Sequence, residues 1–147
     1  MSLNKRLFTY VISLSALLLS IAVPAQNMQK LGSLDVHYIA INSTFLTPDI
    51  AKTYGITRSK INALINISVL DNSLAGKPAK TANVYGTATN LLGQSKTLEF
   101  VEVKEGDAIY YLAELNFSNE EIFRFDIKIN TQDSNETLKF QHKFYVD

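Results

Sequence analysis

From Ser33 to the C-terminus, apolar and polar residues alternate in runs of eight to ten, the period of a strand with one face buried. Leu34, Val36, Tyr38 and Ala40 point one way, with Asp35 and His37 between them, which predicts a first strand over Ser33–Ile41. The second, Ile61–Leu70, is the richest in β-branched residues and is expected at the centre of a sheet. Thr81–Thr89 and Ser95–Lys104 read as a hairpin around Asn90-Leu91-Leu92-Gly93. Ala108–Leu115 follows the tight turn Glu105-Gly106-Asp107. Phe123, Phe125, Ile127 and Ile129 interleave with Arg124, Asp126 and Lys128, and a last strand alternates from Leu138 to Val146.

Only residues 37–60 break this rhythm. Asn42, Ser43 and Thr44 are small polar residues that bond to nearby backbone and end the first strand. Thr47-Pro48-Asp49 then starts a helix, with a hydroxyl to cap it, proline where a missing N–H costs nothing, and an acid in the first turn. Gly55 suits the left-handed position that stops it after two turns. Ile50 and Tyr54, four residues apart, share the face expected to lie on a sheet.

Seven strands and one short helix predict an all-β fold, an immunoglobulin- or fibronectin-like antiparallel β-sandwich. A closed barrel is the other closure this pattern allows.

The first 25 residues have a different character. Lys5 and Arg6 precede an apolar run from Leu7 to Val23, and Val23-Pro24-Ala25 places small residues where signal peptidase cuts. The expectation is a signal peptide over 1–25, cleaved before Gln26, and one domain over 26–147 with no membrane span; a retained anchor is the alternative. Without Lys5 and Arg6 the remainder carries 12 basic against 14 acidic residues. That balance argues against nucleic acid as a partner. The 147 residues include no cysteine, so an exported domain relies on its core alone, and the combination leans towards the bacterial periplasm.

Chemistry is sparse. No Gly-x-Ser-x-Gly elbow is present, and without cysteine there is no thiol nucleophile. Neither a catalytic centre nor a cofactor is expected. His37 and His142 are the two histidines, on the first and last strands, and a metal site shared between them is one alternative. An envelope enzyme with an unfamiliar site around His37, Asn42, Ser43 and Arg58 is another. The leading expectation is a non-enzymatic periplasmic binding or accessory module. Its candidate surface is His37, Asn42, Ser43, Thr44, Tyr54 and Arg58, because loops between core strands commonly carry binding. An envelope protein or a small molecule is the partner class, met through this block or by adding a strand to a sheet edge.

His37-Tyr38, Asn42-Ser43-Thr44-Phe45-Leu46, Pro48, Ile50-Ala51, Tyr54-Gly55-Ile56, Arg58-Ser59-Lys60 and Asn66-Ile67-Ser68-Val69 together resemble the signature of a family of small exported bacterial proteins, the domain of unknown function 4426. Gly86-Thr87, Asn90-Leu91-Leu92-Gly93, Phe125, Phe140-Gln141 and Phe144-Tyr145 extend the likeness over nearly all of 26–147. The resemblance implies a Gram-negative envelope and a compact β-sandwich, and it brings no catalytic residues.

Overall fold

In the computed structural model, residues 26–147 are described; the expected leader, 1–25, lies outside them. Nine strands form two antiparallel sheets. They are β1 (Asn27–Leu31), β2 (Leu34–Asn42), β3 (Asn62–Asp71), β4 (Asn83–Asn90), β5 (Ser95–Leu98), β6 (Val101–Glu105), β7 (Ala108–Asn116), β8 (Glu121–Asn130) and β9 (Asn135–Phe144). One sheet has the order β1-β2-β3-β7-β6 and the other β5-β4-β8-β9. Helix α1 (Pro48–Tyr54) and one turn of 3-10 helix (Ser43–Phe45) join β2 to β3.

The layers meet through the residues that the alternation turns inward. Ala63, Ile65, Ile67 and Val69 of β3 face Phe123, Phe125, Ile127 and Ile129 of β8, all essentially without solvent contact. Each of these side chains larger than alanine contributes about 1.5–3 kcal/mol by leaving water, so these two central strands carry much of the fold. As its composition predicts, β3 is the middle strand of its sheet.

Two elements depart from the pattern. Residues Asn27–Leu31, which precede the first expected strand, form β1, an edge strand paired from Leu31↔Leu34 to Asn27↔Tyr38. The expected single strand Ser95–Lys104 is split at Glu99-Phe100, and its halves lie in different sheets, β5 beside β4 and β6 beside β7. Phe100 packs against the core at this crossing. The alternation gives no warning, because a strand that changes sheet keeps its period while changing its partner.

Helix α1 ends as its sequence dictates. The Ile50 amide donates to Thr47 Oγ1 (3.3 Å). Gly55 has φ +68° and closes the C-terminus with its amide on Lys52 O. The helix lies on the outer face of the five-stranded sheet, with Ile50 and Tyr54 towards Leu64 and Leu112.

Candidate functional site

The loop from Asn42 to Lys60 is held by its own side chains. Asn42 Nδ2 donates to Tyr145 O (2.7 Å) and Asp147 Oδ2 (3.2 Å), which ties the end of β2 to the C-terminus. Thr44 Oγ1 donates to the same Asp147 oxygen at 2.8 Å, and these two donors hold that carboxyl below its ordinary range. Ser43 is fully buried; its Oγ donates to Ser59 O (3.1 Å) and accepts from Ser59 N (2.9 Å). Arg58 donates from Nε to Leu46 O (2.7 Å) and from Nη2 to Thr44 O (3.4 Å). Asn62 Nδ2 bridges Thr57 O (2.8 Å) and Glu114 Oε1 (3.0 Å).

Asn42, Ser43, Thr44 and Arg58 are therefore brought together as a frame. Ser43→Ala is expected to cost about 1–3 kcal/mol, since both backbone groups of Ser59 lose a partner; thermal unfolding of the purified protein reads this directly. Tyr54 stands apart, at the far end of α1, where its hydroxyl donates to Glu105 Oε2 (2.8 Å). The nearby carboxylate raises the Tyr54 pKa above the usual phenol value.

His37 does not join them. It is on the outer face of β2, opposite Met28 and Ser68, about 16 Å along the strand from Asn42. The enzyme alternative built on His37, Asn42, Ser43 and Arg58 is corrected accordingly: those groups do not converge on one pocket. The shared-metal alternative meets the same geometry. His142 is on the inward face of β9, its ring 4.5 Å from that of Phe144, and burial lowers its pKa. His37 and His142 thus face different sides of the molecule. Among the described residues, no three His, Asp or Glu side chains are grouped to hold a metal.

Two openings were not legible in the sequence. The larger, about 540 Å³, separates the second half of β2 from β9 and is lined by Tyr38, Ala40, Ile41, Phe140 and His142. Among the described residues β1 pairs with β2 only as far as Tyr38, so Ile39–Asn42 have a neighbour on the β3 side alone. β9 is the outermost strand of its sheet, so this opening runs between two free edges. Gln29 Nε2, donating to Lys139 O (2.9 Å), closes one end, and Asn42 donating to Tyr145 O closes the other. The Tyr38 and Phe140 rings, 4.4 Å apart, form the floor. The second opening, about 250 Å³, lies beneath α1.

Comparison with known proteins places this arrangement. The model of the family described as domain of unknown function 4426 (DUF4426) matches residues 28–147. The crystal structure of a DUF4426 family protein from Pseudomonas aeruginosa PAO1 is similar at 36% identity and a TM-score of 0.72, covering 83% of this chain and 96% of that one. A copper-bound variant of FetP from uropathogenic Escherichia coli strain F11 shares the fold at 10% identity and a TM-score of 0.59, covering 82% and 95% of the two chains. FetP of the same strain, as isolated after expression in the periplasm of E. coli BL21(DE3), gives 10% identity and a TM-score of 0.52, covering 83% and 93%. No curated protein matches the chain.

Proposed function

This chain belongs to the DUF4426 family, and from the geometry above we propose that it is a non-catalytic accessory module of the bacterial envelope that holds a partner protein by accepting an extended segment between β2 and β9. The observation that carries this reading is the half of β2, Ile39–Asn42, that among the described residues has no partner on its β1 side, opposite the outer edge of β9. An edge strand offers a row of backbone donors and acceptors, and an added strand satisfies them. Four residues of strand span about 13 Å, so the acceptor site takes a short segment. Side chains on alternate positions of that segment would meet the floor formed by Tyr38 and Phe140, which selects small or flat apolar groups.

The frame around Ser43 and Arg58 then fixes the end of β2 rather than touching the partner. Export is supported by the leader pattern at 1–25, and no helix among the described residues is long and apolar enough to cross a membrane. The copper of the FetP structure is not carried over, since His37 and His142 do not face each other.

The test is selection of seven-residue peptides from a displayed library against the purified protein, followed by hydrogen exchange. Bound peptides are expected to slow exchange in Ile39–Asn42 and Lys139–His142 and to share apolar residues at alternate positions. Protection confined to other strands, or no selection above background, refutes the proposal.

A further inference from the structure

We infer that the cleft beneath α1 is a binding site for a compact amphipathic amine, independent of the strand-accepting edge. The outer face of a sheet usually meets water, yet Leu64 and Leu112 occupy outward positions here and are buried under the helix. Leu46, Ile50 and Ile56 complete an apolar wall. At about 250 Å³ the cleft is smaller than the roughly 300–1,000 Å³ that drug-sized ligands fill, so its occupant is compact.

The polar groups select the head group. Glu105 stands at the mouth, where one carboxylate oxygen accepts from Tyr54 and the other is left for a ligand. Among the described residues no ion pair includes Glu105, and no Lys or Arg lines the cleft. Tyr110 lines the cleft with Tyr54, and two phenol rings next to a carboxylate favour a cation. On the floor, Asn66 has a buried side-chain oxygen without a partner, so its amide retains hydrogen-bonding capacity that the protein does not use. A further opening, also lined by Tyr54, adds Glu99 and Glu114 and again contains no basic side chain. An ammonium group on a small apolar body matches all of these features. An anion is repelled by the carboxylates, and a neutral alcohol forgoes the charge.

The experiment titrates the purified protein with 2-phenylethylamine, 2-phenylethanol or phenylacetate and follows backbone amide shifts by NMR. The amine is expected to give saturable shifts at Leu64, Asn66 and Leu112 with a dissociation constant of about 1 mM or tighter. The alcohol should bind at least five-fold more weakly, and phenylacetate should produce no saturable shift. Glu105→Gln should weaken the amine at least five-fold. Tyr54→Phe keeps the aromatic ring and frees the carboxylate oxygen that the phenol occupies, so it should tighten amine binding, a result that loss of folding does not mimic. Equal affinity for amine and alcohol, an unaltered amine affinity in Glu105→Gln, or shifts confined to other surfaces overturns the inference.

Discussion

Gly86→Ala is expected to destabilise the protein by about 3 kcal/mol, lowering the melting temperature by roughly ten degrees. Gly86 sits inside β4, paired with Leu98 of β5 on one side and Ile127 of β8 on the other. A Cβ built there comes to 2.2 Å from Asp126 O and 2.8 Å from the Ile127 Cα, both backbone atoms of the neighbouring strand. No side-chain rotation relieves such a contact, so β4 and β8 must separate. Glycine in a strand interior marks this kind of close approach. Two residues on, Ala88 already holds a fully buried Cβ, so the constraint is local. Calorimetry of the two proteins under one set of conditions decides the matter, and a melting temperature within about two degrees of the parent would show that the strands yield easily.

Phe125→Ala is expected to cost about 3–5 kcal/mol. The Phe125 ring is stacked on Phe140 with centroids 4.4 Å apart and planes 8° from parallel, and it meets Phe144 edge-on at 6.5 Å. Phe123 lies 6.4 Å away on the same strand. Removing the ring leaves a cavity in the middle of this aromatic group, and a densely packed sandwich closes over it only in part. Urea unfolding should show a lower midpoint with an unchanged slope. The consequence reaches the binding edge, because Phe140, which Phe125 supports from within, is half of the floor between β2 and β9. Peptides selected on the parent should therefore bind this variant less tightly even at temperatures where it remains folded.

Much of this architecture could be read from residue order. The helix is an example: Thr47, Pro48, Asp49 and Gly55 each act through their own backbone and nearest neighbours, and the structure places cap and terminus where those residues put them. The inward rows of β3 and β8 follow from a two-residue period that any buried face imposes. β1 escaped because Asn27, Gln29 and Lys30 are polar, as suits an edge strand whose pairing is made by backbone groups. The break between β5 and β6 escaped because changing sheets alters a partner and leaves the alternation of side chains intact.

The candidate surface shows the same division. The sequence singled out His37, Asn42, Ser43, Thr44, Tyr54 and Arg58, and four of these six, Asn42, Ser43, Thr44 and Arg58, prove to be bonded into one frame. The residues that line the two openings, Tyr38, Ala40 and Phe140 in one and Leu64 and Asn66 in the other, looked like ordinary strand positions, and Glu105 like part of a turn. They become neighbours only when strands far apart in the chain are laid side by side or beneath a helix.

By itself, then, the order of residues determined an antiparallel β fold, its central strands and its one helix, because these depend on period and capping, which act over a few residues. Tertiary structure alone decided the closure into two layers, which backbone edge among the described residues is left without a neighbour, and which apolar patch is roofed. All three depend on where strands end relative to partners up to a hundred residues away.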